Sequence, residues 1–278
     1  MYNTKKAAQY WGTRIKNLNL QRAVLSLSLP TYLNDAYRIW EFTTLTSKLG
    51  KMKNKKIVDI ACGGGRISVP LAKLGAKVTG IDISHEMIHY ANEYAKKNSC
   101  SSNVHFTIAS AWDTKLPSHS FDKVLLLGIL EHLPDKYKKL TIKEANRLVK
   151  RKGSIYIVIN NKKSLFLKLV EKWKKPSQKK SGYYSSLMDP TQVIAYLKSL
   201  GLKVEVIGSN LNYSILFHAL ARIDPKLISK SYINKISELF QYYIALDMNI
   251  HRTKLSSKQH DSLEEKFADQ YFLLATRK

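Results

Sequence analysis

Three consecutive glycines lie in the stretch VDIACGGGR, residues 58–66, directly after a short apolar run. Glycine inside a regular element costs stability, so Gly63, Gly64 and Gly65 indicate a sharp turn or the close approach of a ligand to the backbone. The apolar run is predicted to be a buried strand, and the glycines open the helix that follows. Free backbone N–H groups and the helix dipole bind ligands at this place in an α/β sheet.

A carboxylate follows the next predicted strand. Asp82 lies 17 residues after Gly65, at the end of the apolar stretch 76–84. A carboxylate accepts two hydrogen bonds at once, so an acid at this point can bind both hydroxyl groups of a ribose. The glycine loop and Asp82 together therefore predict a site for a ligand that contains a nucleoside.

Short apolar strands alternate with helical patterns through the middle of the chain. The fold that these elements form must position the glycine loop and Asp82. Such a pattern is typical of an α/β protein with a doubly wound, mainly parallel sheet. Two later apolar stretches bring the predicted sheet to seven strands. The predicted strands are 56–61, 76–84, 103–110, 121–129, 153–160, 202–208 and 270–278, with helices predicted over 66–74, 85–98, about 135–150 and 189–200.

The chain carries a large excess of positive charge. Its 278 residues include 46 Lys and Arg against 21 Asp and Glu, a formal net charge of +25. An excess of this size implies an anionic partner, namely nucleic acid, phospholipid headgroups or a phosphorylated substrate. The alternative is a lysine-rich sequence whose charges only solvate the surface.

The cysteines and the hydropathy pattern exclude several classes of protein. Cys62 and Cys100 are too few for a disulfide framework and lack the spacing of metal ligands, so we expect no metal site. We find no apolar run long enough for a signal peptide or a membrane span. These features predict a cytoplasmic protein with reduced thiols.

The glycine loop has the form Asp59-x-Ala61-x-Gly63-x-Gly65. It resembles the first motif of the class I S-adenosylmethionine-dependent methyltransferases, D-x-G-x-G-x-G, with alanine in place of the first glycine. VTGIDISHEMIHYA (78–91) resembles the second-strand motif of the family, and FDKVLLLGILEHLPD (121–135) its fourth-strand motif. HFTIASAWDTKLP (105–117) is similar to the segment after the third strand, with Ala and Ser where Gly and Asp are usual.

This resemblance implies a Rossmann-like methyltransferase fold, an enzyme, and S-adenosyl-L-methionine as the cofactor. It places Asp82 at the ribose and Met87 near the adenine, and it leaves Ser110 or backbone groups to replace the usual adenine-binding acid. The residues it implies as cofactor-binding are Asp59, Ala61, Cys62, Gly63, Gly65, Asp82, Ile83, Met87, Ser110, Ala111, Trp112 and Leu127.

We expect a helical cap over residues 1–50 and a methyltransferase domain over residues 51–278. Within that domain, 161–188 is a basic segment and 211–267 is a helical insertion before the last strand. Many Tyr, Ile and Leu side chains in the insertion indicate an apolar lid over the acceptor site.

The acceptor side of the site carries few titratable groups. His132 follows the fourth strand, and a histidine there can act as a general base on a hydroxyl acceptor because its pKa is near neutrality. A structural or cofactor-facing role for the same Glu-His-Leu sequence is an equal alternative. We expect four aromatic residues to contact the acceptor: Tyr10, Trp11, Tyr183 and Tyr184.

Residues 162–180 combine lysines with an apolar stripe. The stripe, Phe166, Leu169, Val170 and Trp173, has helical spacing. This pattern is typical of a helix at an anionic membrane surface, and equally of an amphipathic helix packed on the fold. The stretch after it, GYYSSLMDPTQVIAYLKSLGLKVEVIG, resembles ubiquinone-biosynthesis O-methyltransferases and related enzymes of lipids and small molecules.

Three functions follow as hypotheses. The first is methyl transfer to a small-molecule, lipid, quinone or glycan acceptor, in the cytoplasm or peripherally at a membrane. The second is an RNA or ribosome methyltransferase that uses the basic surface to bind phosphates. The third is a cofactor-binding protein without transferase activity. We favour the first over the second because no RNA-binding module is recognisable and large apolar residues interrupt the basic run.

Overall fold

A computed structural model of the chain describes residues 2–18, 31–165, 168, 186–210 and 270–277, except the side chains of 31–37, 40 and 207–210. In these residues a seven-stranded sheet forms the centre of the molecule. The strands are β1 (Lys56–Ile60), β2 (Lys77–Asp82), β3 (Val104–Ile108), β4 (Phe121–Leu127), β5 (Val149–Asn160), β6 (Leu202–Asn210) and β7 (Gln270–Arg277).

The strand order is β3-β2-β1-β4-β5-β7-β6. The first five strands pair in parallel, while β7 is antiparallel to both β5 and β6. The predicted α/β class with a mainly parallel seven-stranded sheet is thus confirmed. Between β1 and β4 the order reverses direction, and the loops that leave these two strands diverge there. Ligands of open α/β sheets bind at this switch point.

Six α-helices and one short 3₁₀ helix are described. They are α1 (Thr4–Asn17), α2 (Thr31–Leu49), α3 (Ser68–Lys73), α4 (His85–Lys97), α5 (Asp135–Leu148), α6 (Pro190–Ser199) and the 3₁₀ helix Leu130–His132. Local sequence explains several of their ends. The Ser84 hydroxyl accepts a hydrogen bond from the Met87 amide and caps α4, while Asp189 caps α6 just before Pro190.

Apolar side chains fill both faces of the sheet. Alternate residues of β1 supply the two layers: Val58 and Ile60 pack with residues of α5 and α6, and Ile57 packs on the other face. Leu45 and Leu49 of α2 are buried in that second layer. The end of α2 is therefore part of the core of the sheet. The division of the chain at residue 50 into a cap and a catalytic domain stays a prediction.

Strand β5 begins earlier than expected. We predicted a helix to about residue 150 and a strand from 153, but α5 ends at Leu148 and Val149 already pairs with Phe121. Lys123 then pairs with Ser154, so the four residues 150–153 bulge opposite the single residue Asp122. Such bulges bend a strand and re-aim its side chains.

Most of the basic segment 161–188 and all of the insertion 211–267 lie outside the described residues, so the predicted lid is not described. No helix in the described ranges is both long and apolar enough to cross a bilayer. Cys62 and Cys100 are buried and are not joined in a disulfide.

Candidate functional site

The glycine loop leaves β1 with three left-handed backbone conformations in five residues. Ala61, Gly63 and Gly65 have φ values of 63°, 53° and 81°. At Gly65 a Cβ atom would also lie 3.1 Å from Phe106 Cζ and 3.3 Å from Ala91 Cβ, so both conformation and packing require glycine there. Ala61 occupies the same kind of conformation with a side chain, which stores strain in the loop.

Asp59 joins the two ends of this loop. Its side chain is 3% exposed, and one carboxylate oxygen accepts a hydrogen bond from the Ser68 hydroxyl at 2.6 Å. Ser68 is the first residue of α3, so the bond spans the whole turn from strand to helix. Burial raises the pKa of Asp59 to about 6, against the opposing effects of the Ser68 hydrogen bond and the Arg66 charge.

Asp82 holds the loop from the neighbouring strand. One carboxylate oxygen accepts the Gly63 N–H at 2.9 Å, and the other accepts the Ser84 N–H at the same distance. Burial raises the pKa of Asp82, while these backbone hydrogen bonds oppose the shift. A carboxylate has about four acceptor positions, so these bonds leave capacity for a ligand hydroxyl. Asp82 thus orders the loop in addition to offering acceptors.

Cys62 is a packing residue in this structure. Its thiol is buried, and burial raises its pKa well above the usual value, so the thiol stays protonated at neutral pH. A Cβ at Gly80 of β2 would lie 2.9 Å from its sulfur, which shows how tightly the loop packs on the sheet.

The loop after β3 carries Ser110, Ala111 and Trp112 at the same edge of the sheet. Glu144 of α5 fixes this loop because its carboxylate accepts the Thr114 N–H at 3.0 Å. Ala111 is buried and Ser110 is half-buried. No acid stands at the position of Ser110, so any adenine contact at this point comes from the hydroxyl or the backbone.

Helix α1 lies across the opening of this edge. The Trp11 ring is 5.3 Å from the His132 ring, and the Tyr2 ring is 6.0 Å from the Trp112 ring. Tyr10 contacts Trp11 edge to face at 5.2 Å. The helix therefore bridges the loops that follow β3 and β4.

The other side of α1 packs on the start of α4, next to Asp82. Gly12 allows this approach, since a Cβ there would lie 3.1 Å from the Ser84 hydroxyl. Lys16 forms a salt bridge of 3.2 Å with Glu86. Ile15 packs on Met87, which is 1% exposed. Met87, expected near the adenine, is thus covered by α1.

The loop after β4 turns at Gly128 and forms the 3₁₀ helix that holds Glu131 and His132. His132 is half-buried beneath Trp11. Glu131 is 7% exposed, and its Oε1 accepts a hydrogen bond from Asn160 at 3.1 Å. Among the residues described, its Oε2 is buried and has no hydrogen-bond partner. A buried carboxylate oxygen in this state suits a polar ligand group.

Helix α2 reaches the glycine loop through a buried ion pair. Arg66 Nη2 lies 2.6 Å from Glu41 Oε2, with the two side chains 12% and 4% exposed. Removing one partner of such a pair leaves a buried charge without compensation, so the pair fixes α2 to the loop.

The structure brings most of the predicted site residues to one edge of the sheet. The glycine loop, Asp82 with the half-buried Ile83, the loop 110–112, Leu127 at the end of β4, and His132 all follow the carboxyl ends of parallel strands. Tyr183 and Tyr184 lie outside the described residues. No cluster of three possible metal-ligating side chains occurs in the described ranges.

Sequence reasoning missed the residues that hold the site together. These are Ser68, Ser84, the Glu41–Arg66 pair, and Asn160 beside Glu131. Ser84 alone had a local signal, since a serine directly before a helical pattern is a typical N-cap. The others depend on contacts between distant segments.

The electrostatics of the site favour a cationic ligand. Burial raises the pKa values of Asp59 and Asp82, and the charge of Asp82 adds a smaller contribution at Asp59. A positively charged ligand at the loop would stabilise both ionised forms. The sulfonium and ammonium groups of S-adenosylmethionine have this charge, and the hydroxyls of its ribose match the acceptors of Asp82.

Comparison with known proteins agrees with this geometry. Residues 57–153 match the family model described as a methyltransferase domain. A ubiquinone biosynthesis O-methyltransferase from Pelagibacter ubique is 40% identical over 111 residues, which are 40% of this chain and 44% of the relative. The protein of the same name from Colwellia psychrerythraea is 34% identical over 163 residues, 57% of this chain and 65% of the relative. The matched segments span less than two thirds of either relative.

A solved structure has a similar fold. The magnesium protoporphyrin IX methyltransferase from Synechocystis PCC 6803, crystallised with bound SAH, has a TM-score of 0.61 at 16% identity. The match covers 99% of this chain and 100% of that chain. These findings confirm the resemblance to class I methyltransferases that the motifs indicated.

Proposed function

We propose that this protein uses its methyltransferase domain to transfer the methyl group of S-adenosylmethionine to a hydroxyl of a small-molecule acceptor. The observation that carries the proposal is the double role of Asp82. Its carboxylate accepts the N–H groups of Gly63 and Ser84 and still has acceptor capacity for a ligand hydroxyl. That arrangement suits a ribose held against a glycine loop.

The acceptor class rests on two points. The relatives of highest identity given above are named as O-methyltransferases of ubiquinone biosynthesis, which supports an oxygen atom in a lipid or quinone-type molecule. The described part of the opening is bordered by aromatic rings, namely Tyr2, Trp11, Trp112 and Tyr137. Apolar and aromatic walls with a few polar groups are typical of pockets for small molecules.

When bound, S-adenosylmethionine would supply an activated methyl group on its sulfonium, and S-adenosylhomocysteine would be the leaving group when an acceptor oxygen takes that methyl. The protein holds the two reactants together, and positioning supplies most of the catalysis. We assign His132 as the base that takes the hydroxyl proton, since its imidazole lies half-buried under Trp11 at the carboxyl edge. In this scheme the Glu131 Oε2 atom accepts a hydrogen bond from a bound polar group.

Binding of S-adenosylhomocysteine, measured by titration calorimetry, tests the cofactor site. In Asp82→Asn an amide group replaces an oxygen that now accepts a backbone N–H, so we expect the affinity to fall by roughly 2 kcal/mol. Asp122→Asn is the matched control, because Asp122 also accepts a backbone N–H, from Lys56 at 2.8 Å, but at the amino edge of the sheet.

The control variant should bind as tightly as the wild type. Unfolding curves of both variants establish that they are folded at the temperature of the titration. Unchanged affinity in Asp82→Asn would show that the ligand does not use this carboxylate. An equal loss in both variants would mean that the effect is a general loss of stability.

A further inference from the structure

A cationic cavity of about 330 Å³ lies at the amino edge of the sheet. The glycine loop is at the other edge, and a five-residue strand such as β1 separates the two edges by about 16 Å. One carboxylate and five basic side chains line the cavity together with Leu49 and Gly153: Lys51, Lys55, Asp122, Lys123, Arg151 and Lys152.

The bulge of β5 builds one wall of this cavity. Residues 150–153 project opposite Asp122, and Lys152 has a left-handed φ of 61°. A Cβ at Gly153 would lie 3.0 Å from the carbonyl oxygens of Asp122 and Lys150, so only glycine fits this close approach of the two strands. Arg151 and Lys152 therefore lie in the bulge of β5, where the backbone departs from a regular strand.

The positive charge in the cavity is largely uncompensated. Asp122 accepts the Lys56 N–H at 2.8 Å and pairs with Lys150 at 3.1 Å. Among the described residues, no carboxylate lies within salt-bridge distance of Lys51, Lys55, Arg151 or Lys152. Their mutual repulsion is a cost that a bound anion would relieve.

Lys123 lies deeper than the other cations. It is half-buried in β4, and its ammonium donates a hydrogen bond to the Ser154 hydroxyl at 3.0 Å. Burial and the nearby Lys55 lower the pKa of Lys123. An anion in the cavity would stabilise the charged form of this lysine.

We propose that this cavity is a second ligand site, separate from the methyl-transfer site, and that it binds a small anion carrying two or more phosphate groups. The volume of about 330 Å³ suits a diphosphate rather than an extended polymer, and five basic residues line it against one carboxylate. A free oligophosphate and a lipid headgroup that carries a diphosphate have the same recognition chemistry, and the test separates them.

The probe is inorganic pyrophosphate, titrated into the full chain in a calorimeter at physiological salt, about 0.15 M. We expect saturable binding that is unchanged when S-adenosylhomocysteine is present in excess. The double variant Lys123→Gln/Arg151→Gln should bind about tenfold more weakly or worse. Arg151→Gln alone, at an exposed position, should show a smaller loss of affinity for pyrophosphate. This single variant tests the site even if the double variant is unstable.

The matched control is Lys96→Gln/Lys97→Gln, which removes two exposed charges of α4 outside the cavity. It should bind pyrophosphate like the wild type. The lipid probe is a vesicle that contains a lipid diphosphate. If pyrophosphate competes with sedimentation on these vesicles, the source is a lipid headgroup; if pyrophosphate binds and the vesicles do not, the source is a free phosphate compound.

The proposal is wrong if pyrophosphate does not bind at this salt concentration, or if the control variant loses as much affinity as the cavity variant. Binding of an RNA oligonucleotide that pyrophosphate does not displace would also overturn it, in favour of a nucleic-acid surface. None of these readouts depends on methyl transfer, so failure here leaves the proposed function untouched.

Discussion

Replacing Asp59 by asparagine should change how the stability of the protein depends on pH. The carboxyl of Asp59 has a pKa of about 6 in the folded chain, against 3.8 for an ordinary aspartate, because it is buried. The folded state therefore binds the proton more tightly than the unfolded state does. This contribution to stability is complete below about pH 4 and is lost as the pH rises through about 6.

The size of the effect follows from the shift. About two pKa units at 1.36 kcal/mol each give a loss of about 3 kcal/mol in the free energy of unfolding between roughly pH 4 and pH 7. In Asp59→Asn the side chain is neutral at every pH, and its amide oxygen can still accept the Ser68 hydroxyl hydrogen bond. The variant should therefore gain about 3 kcal/mol relative to the wild type over this interval.

Urea unfolding followed by tryptophan fluorescence, without cofactor and at several pH values between about 4 and 8, measures this difference. Asp113→Asn is the control, because Asp113 is an aspartate with a side chain 54% exposed. Its difference from the wild type should stay within about 0.5 kcal/mol at all pH values. A constant difference for Asp59→Asn, or one that shrinks as the pH rises, would refute the reasoning.

Three further predictions concern the base, the loop and the membrane. His132→Gln should lower kcat about 100-fold or more, while His89→Gln, on the exposed side of α4, should leave kcat unchanged. Ala61→Gly should raise the free energy of unfolding by about 1 kcal/mol because glycine adopts a φ of 63° without strain. The control Ala109→Gly, at a negative φ, should lower it. Thermal unfolding of both variants measures the two changes. If residues 162–180 bind anionic lipid, the protein sediments with anionic vesicles, less with neutral ones, and less as salt increases; equal sedimentation with both would exclude this surface.

The sequence predicted the sheet well because its signals are local. The apolar runs around Val58, Ile81 and Leu125 are buried strands at the expected places, and the glycines mark the turn after the first of them. The end of α5 was predicted about two residues too late, because lysine and arginine at 150–152 suit a helix as well as an exposed bulge. Only pairing with Phe121 and the close approach at Gly153 decide between the two.

Contacts between distant segments could not be predicted in the same way. The motifs placed His132 after β4 and the aromatic pattern suggested Trp11 for the acceptor, but nothing local brings the two rings to 5.3 Å. That contact depends on the packing of α1 on α4 through Gly12 and the Lys16–Glu86 pair. The partners of the buried acids, such as Ser68 for Asp59, likewise follow from the fold and not from spacing.

Hydrogen bonds from the protein itself fix both acids of the candidate cofactor site. Ser68, Gly63 and Ser84 hold the carboxylates of Asp59 and Asp82 in place. Burial raises the pKa values of both acids. Their ionised forms are therefore unfavourable unless a positive charge lies beside them. A cationic ligand removes this penalty, and its affinity should therefore increase as the pH rises through about 6. A neutral nucleoside at the same site would show no such increase. This difference separates recognition of the charged sulfonium and ammonium groups from recognition of the adenosine alone.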